Sequence, residues 1–292
     1  MTKTRLNRCC ALMPCGIIAI LMLMMLRTEA QQIGVMTFNI RYDNPGDGED
    51  TWNSSRQELG DFVLKSGCDI IGMQEVLHNQ LVWIDSILPD HSYVGVGRDD
   101  GDTKGEYSPI FYNTKKFELV SNSTFWLSDT PDVVSVGWDA ALPRICSWAI
   151  LRDMSSNREI LVMNAHFDHI GVLAREKSAE LVIQKMKEIT AGRAHPVILT
   201  GDLNALNTEQ TINILSGHLI DVMQATYGVK QAPGTFNGFD LTKPAENRID
   251  YIFTKGMMFE DVRVADGRRK NGRFLSDHFA VVAILKIPSR RH

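Results

Sequence analysis

Short apolar runs dominate the hydrophobic pattern. Eight stretches rich in β-branched and apolar residues recur along the chain, at Ile33–Ile40, Asp69–Met73, Pro109–Tyr112, Ile145–Leu151, Ile160–Asn164, Pro196–Thr200, Ile249–Phe253 and Phe279–Ile287. Each has strand length and is bounded by turn or polar residues, which predicts β-strands. Between some of them the period lengthens to that of a helix. Ser54–Lys65 brings Leu59, Phe62 and Val63 to one face, and Asn79–Leu88 does so with Leu81, Ile84 and Leu88. Val172–Ile189 places Leu173, Leu181, Met186 and Ile189 near helical spacing, with charges elsewhere. Strands outnumber helices. Two packed sheets with helices outside absorb this set better than one doubly wound sheet, so an α/β fold of that kind is expected. No repeat or low-complexity linker divides residues 31–292, which read as one domain.

The first thirty residues follow a different pattern. Lys3, Arg5 and Arg8 precede an apolar run from Ala11 to Leu26, broken by Pro14 and Gly16, and Ala30 supplies a small residue at a cleavage point. The run is 16 residues long, short of the about 20 that a spanning helix needs. Residues 1–30 therefore read as a secretory signal peptide, with the mature chain starting near Gln31 and exported to the periplasm or the exterior. The alternative is an uncleaved anchor. Cys9, Cys10 and Cys15 leave with the leader. Cys68 and Cys146 remain, too few for a disulfide framework, and either a pair or two buried thiols fits.

Composition narrows the class. In 292 residues, 44% hydrophobic and 23% charged, there is no room for disorder, a collagen-like repeat or a multi-pass membrane protein. The net charge of −4 hides an asymmetry. Residues 1–30 hold four basic residues against Glu29 alone, so the rest carries 27 basic and 34 acidic residues, a net of −7. An acidic surface attracts nucleic acid poorly. The cluster Arg263, Arg268, Arg269, Lys270 and Arg273 runs the other way, unless it is a solvated loop.

Candidate chemistry gathers where the strand-like runs end. Val35–Phe38 leads into Asn39, Ile70–Met73 into Gln74-Glu75, Leu161–Met163 into Asn164 and His166, and Val197–Thr200 into Asp202 and Asn204. Asp250 opens Tyr251–Phe253, and Ser276-Asp277-His278 precedes Phe279–Leu285. Each has a plain structural alternative. Asn39 reads as a turn amide, Glu75 as a helix N-terminal acid, Asp202 as a cap for a helix near Thr208 and His166 as a core histidine. Asp250 reads as an ion pair with Arg248, and Asp277-His278 as a strand-start turn. Six separate explanations are less economical than one shared cause. Buried singly, these groups are costly; gathered at one rim they satisfy one another, or a metal and a substrate. Glu75 and Asn39 offer oxygen ligands suited to Mg²⁺ or Mn²⁺. Asp202 and Asn204, two apart on an extended segment, would share a face. His166 and His278 can donate to phosphoryl oxygens, with Asp250 orienting the His278 ring.

In this order, Thr37-Phe38-Asn39, Gln74-Glu75, Asn164-Ala165-His166, Gly201-Asp202-Leu203-Asn204, Arg248 to Phe253 and Ser276-Asp277-His278 resemble the endonuclease/exonuclease/phosphatase superfamily. That group includes repair nucleases, DNase I, neutral sphingomyelinases, inositol-polyphosphate 5-phosphatases and deadenylases. The resemblance implies a DNase I-like, four-layer α/β/β/α sandwich: two packed mixed sheets flanked by helices. It implies metal-dependent phosphoester hydrolysis, with Asn39 and Glu75 at the metal and Asp277 at a second metal position. Asp202 and Asn204 resemble the water-activating pair, His166 the phosphate-contacting histidine, and Asp250 with His278 an Asp–His pair. Asn39 to Asn44, Trp52 with Arg56, Gly105 to Tyr112 and His166 to His169 resemble a bacterial secreted subgroup. The repair nucleases' tyrosine has only Tyr107 and Tyr112 as candidates. The expected function is a secreted, monomeric phosphoesterase for a small or exposed substrate, such as a sugar phosphate, nucleotide or lipid head group. An extracellular nuclease is the alternative, with Trp126, Trp138 and Trp148 as candidate stacking platforms. A non-catalytic binding protein is disfavoured, because every motif residue is present.

Overall fold

The computed structural model describes residues 1–2, 32–191, 193–229 and 232–287. The expected leader lies outside them apart from Met1 and Thr2, and its cysteines with it. Among the described residues, twelve strands form two six-stranded mixed sheets. The first has the order β11-β12-β1-β2-β4-β3, built from β1 (Gln32–Asn39), β2 (Ile70–Gln74), β3 (His91–Val94), β4 (Ile110–Asn113), β11 (Met258–Ala265) and β12 (Ala280–Lys286). The second has the order β5-β6-β7-β8-β10-β9, from β5 (Phe117–Trp126), β6 (Ile145–Asp153), β7 (Arg158–His166), β8 (Val197–Asp202), β9 (Ile220–Asp221) and β10 (Asp250–Lys255). β1 with β2 and β7 with β8 pair in parallel; the other pairings are antiparallel.

Period-two alternation explains why both sheets are buried on two faces. Along β1, Ile33 and Val35 enter the core between the sheets with Ile70, Val162, Ile198 and Val281. Met36 and Phe38 point the other way, against Leu59 and Val63 of α1 (Trp52–Ser66) and Leu81 and Ile84 of α2 (His78–Ile87). On the far side, Leu161, Met163 and Leu199 pack against Val182 and Ile183 of α3 (Val172–Ile189) and Ile212 of α4 (Gln210–Ser216). A short α5 (Val222–Tyr227) follows β9, its N-terminus capped by Asp221. The result is the four-layer α/β/β/α arrangement. α1 stops at Gly67, whose φ of 63° favours glycine. Among the described residues, no helix is long and apolar enough to cross a membrane.

A buried polar network ties the sheets together near the end of β1 and β2. Gln74 Nε2 donates to Thr37 Oγ1 (3.1 Å) and Asn164 Oδ1 (2.7 Å). Asn164 Nδ2 donates to the carbonyls of Met73 and Pro109, and Thr200 Oγ1 to Asn164 Oδ1. Gly72 lets the two sheets close here: a Cβ on it would lie 2.1 Å from Thr200 Oγ1 and 2.7 Å from Asn164 Oδ1. Cys68 and Cys146 are both buried free thiols, with burial pushing Cys68 up to about 11.

Four residues of the C-terminal basic cluster form ion pairs. Arg273 pairs with Asp50 and Glu49, Arg269 lies near Asp50 and Glu58, Arg268 pairs with Asp266, and Arg263 with Asp261. It clasps the 3₁₀ turn Pro45–Asp50 and the start of α1.

Candidate active site

Strand register delivers the polar residues to one rim. β7, β8 and β10 lie side by side, with His166 opposite Asp202 and Asp202 opposite Asp250. In the other sheet Asn39 stands opposite Gln74, with Glu75 next in the chain. β12 runs antiparallel to β1, so the chain just before it returns Asp277 and His278 to the same end. All eight residues predicted from sequence meet there. Six of them, Glu75, His166, Asp202, Asn204, Asp277 and His278, line a cavity of about 660 Å³.

The inner end is a tight set of acids, amides and imidazoles. His278 Nδ1 lies 2.9 Å from Asp250 Oδ2, and its Nε2 3.7 Å from Asp202 Oδ2. Asn39 Nδ2 donates to Asp202 Oδ2 (2.9 Å) and Glu75 Oε1 (3.0 Å). Asn204 N donates to Asp202 Oδ1, and its Nδ2 lies 3.2 Å from His166 Nε2. Ligand-capable atoms of Glu75, His166 and Asp202 lie within 4.8 Å of one another, as do those of Asp202, Asp250 and His278. Glu75 and Asp202 supply carboxylate oxygens, which suit a hard divalent cation, while Asp277 stands outside both groups, linked to Glu75 through Arg41. Three cavity residues, Arg41, Glu75 and Asn204, hold φ of 61°, 60° and 46°. Such strained backbone is typical of functional sites.

Electrostatics separates the roles. Burial works against a charged His278, but Asp250 and Asp202 outweigh it and hold the ring well above the ordinary histidine value. Burial and the neighbouring Asp250 push Asp202 up to about 7, against the pull of His278 and Asn39. Burial and the Arg144 and Arg98 guanidinium groups drive His166 well below its ordinary value, so its ring is neutral. Burial also raises Asp277, with Glu75 adding to it against His278 and Arg41.

Several details differ from the sequence expectations. The Asn39 amide presents nitrogen, not oxygen, to the carboxylates, because its Oδ1 accepts from the Arg41 backbone N–H (3.0 Å). Asp202 and Asn204 do not share a strand face: β8 ends at Asp202, and the chain turns through the left-handed Asn204. The N-cap of α4 is Glu209, and α2 begins after Leu77, so neither Asp202 nor Glu75 caps a helix. Arg248 pairs with Asp221 (2.8 Å), leaving Asp250 to His278. Tyr107 bonds Asp102 and Tyr112 packs in the core, and Trp126, Trp138 and Trp148 do not line the cavity.

A second wall was not foreseen. Arg144 Nε donates to Asp168 (3.2 Å), its Nη1 lies 3.2 Å from both His166 nitrogens, and its Nη2 2.8 Å from His169 Nδ1. Glu106 pairs with Arg98 (2.7 Å) and also faces the cavity. The signal for Arg144 lies in the strand pairing. β6 runs antiparallel to β7, so a charged residue just before β6 reaches the same rim as His166.

With the geometry in place, comparison with known proteins decides the family. The model of the Endonuclease/Exonuclease/phosphatase family matches residues 36–278. The chain belongs to this family. It is a phosphoester hydrolase. Family members act with divalent metal ions, as the donor set here permits. A crystal structure of an endonuclease/exonuclease/phosphatase family protein from Bacteroides thetaiotaomicron superposes with a TM-score of 0.84 at 38% identity, covering 90% of this chain and 99% of that one. A mannosyl-6-phosphatase from the same organism gives 0.80 at 40% identity, covering 87% and 99%. The human Nocturnin catalytic domain, 17% identical with a TM-score of 0.72, shares the fold alone. Two uncharacterised proteins of Acanthamoeba polyphaga mimivirus are 29% and 25% identical over 52% of the chain, and the matches span 59% and 26% of their lengths.

Proposed function

We propose that this family member is an exported phosphatase that hydrolyses a small sugar phosphate with Mg²⁺ or Mn²⁺, acting as a monomer. The observation that carries the reading is the cavity itself. It gathers Glu75, Asp202, Asp277 and His278, and is lined also by Leu142, Leu206, Phe236 and Ile249 beside polar Asn247, Glu106 and His169. About 660 Å³ suits a monosaccharide phosphate. The 40% identity to a mannosyl-6-phosphatase supports the same substrate class. The ion-paired state of the basic cluster argues against a duplex nucleic acid substrate. Export rests on the pattern of residues 1–30.

In this mechanism Asp202 accepts a proton from the attacking water, and Asn204 helps fix that carboxylate through its backbone N–H. His278, held cationic by Asp250, donates Nε2–H to a phosphoryl oxygen. Neutral His166 donates its single N–H to another. Glu75 would hold the divalent ion, which would neutralise charge on the phosphoryl group. Purified protein with Mg²⁺ should release inorganic phosphate from hexose 6-phosphates while leaving plasmid DNA and RNA intact. Cleavage of DNA without phosphate release from any monoester would replace this reading with the nuclease one.

A further inference from the structure

Arg41 stands two residues after Asn39 and has no part in the mechanism above. Its guanidinium is held on two sides. Nε and Nη2 form a fork onto Asp47, at 2.9 and 3.0 Å, and Cζ lies 4.5 Å from the Tyr42 ring centroid. Asp47 is itself fixed by Asn44 Nδ2 at 2.7 Å. The third nitrogen, Nη1, makes no hydrogen bond among the described residues. It lies 3.8 Å from Glu75 Oε2 and 3.7 Å from Asp277 Oδ2. The group is only partly covered, and Arg41, Glu75 and Asp277 all line the cavity. The φ of 61° at Arg41 marks a backbone bent to bring the side chain here.

Two carboxylates facing each other across a cleft form a natural place for a second divalent ion. Here a fixed positive charge already stands between them, on a guanidinium that lines the cavity and whose Nη1 makes no hydrogen bond among the described residues. We propose that Arg41 is the resident cation of the phosphoryl site: it takes the place of a second divalent ion between Glu75 and Asp277 and donates Nη1–H to a phosphoryl oxygen. The site then works with one divalent ion, and part of its phosphate affinity is built into the chain. A guanidinium suits this role better than an ammonium, because the fork onto Asp47 fixes the aim of the remaining nitrogen.

The inference rests on the phosphatase reading of the cavity, but its test needs no turnover. Mn²⁺ bound per chain is counted by electron paramagnetic resonance of the free ion. Inorganic phosphate binding is measured by calorimetry at saturating Mg²⁺. Wild type should bind one Mn²⁺ per chain. Arg41→Met should bind phosphate at least about tenfold more weakly, and Arg41→Lys, which keeps the charge, should recover part of that loss. Two equivalent Mn²⁺ ions in wild type, or equal phosphate affinity in wild type and Arg41→Met, would overturn the proposal. Should Arg41→Met fail to fold, Asp47→Asn serves instead. It frees the guanidinium while keeping its charge, so phosphate affinity should fall by about threefold or more, and unchanged affinity overturns the claim. A protein that hydrolyses no sugar phosphate, yet meets these expectations, loses its substrate assignment and keeps Arg41's role.

Discussion

Asp202 answers two demands that oppose each other. Burial and Asp250 push its carboxyl up to about 7, which suits a group that must take a proton near neutral pH. The same placement makes its ionised form expensive. Because the folded value lies above the unfolded one of 3.8, the folded state holds its proton longer. In the metal-free protein this group's stabilising contribution is therefore present below about pH 4 and is lost as pH rises to about 7. Asp202→Asn removes that dependence. Without metal, the variant should match wild type near pH 4 and melt higher by roughly 2–8 °C at pH 8, which scanning calorimetry reads directly. With metal and substrate, its kcat should fall by about 10²–10⁴. His278→Ala should cost about 10²–10³, and the double variant should lose less than the product of the two, since both residues serve one transition state. These residues were legible because one shared site explains acids, amides and histidines at the ends of six apolar runs more economically than six separate structural roles. Arg144 and Glu106 were not, because they sit in loops before β6 and β4 and acquire meaning only through the strand pairing.

Among the secondary-structure elements, the sequence pattern found the eight interior strands and missed four, β3, β5, β9 and β11. Those four are the edges of the two sheets. The reason is physical. An interior strand buries both faces and reads as an unbroken apolar run, as β1, β7 and β12 do. An edge strand meets solvent and carries polar or charged residues that discourage pairing with other chains. β11 reads Met-Phe-Glu-Asp-Val-Arg-Val-Ala, and β5 carries Ser121, Asn122 and Ser123 in its middle. The three longer helices were clearer, with α3 found to its ends and α1 and α2 to within two residues, while the short α4 and α5 carry too few apolar positions to show a period. The sheet-to-sheet contact was not legible at all. Gly72 looks unremarkable in a strand, yet it is where the two sheets touch through Asn164 and Thr200. Gly72→Ala should destabilise by roughly 1–3 kcal/mol through overpacking. Urea denaturation would check this, and a variant within about 0.5 kcal/mol of wild type would show that the sheets can part there without cost.

The whole molecule presents an acidic exterior and a cleft that concentrates its functional polarity. The chain outside residues 1–30 carries a net of −7, and Arg263, Arg268 and Arg273 of the C-terminal basic cluster pair with Asp261, Asp266, Glu49 and Asp50. Duplex DNA should therefore bind weakly. Fluorescence anisotropy with a labelled duplex at physiological salt should show no saturation at micromolar protein, where tight binding would revive the nuclease reading. The central claim is that a divalent ion held by Glu75 and a proton taken by Asp202 hydrolyse a sugar phosphate in this cleft. Phosphate release from mannose 6-phosphate tests it most directly, measured for wild type, for wild type with EDTA, and for Glu75→Gln, whose loss of charge weakens the ion's site. The account predicts release by wild type, none with EDTA, and at least about a hundredfold less for Glu75→Gln. Release that persists in EDTA, or a Glu75→Gln variant as active as wild type, would contradict it.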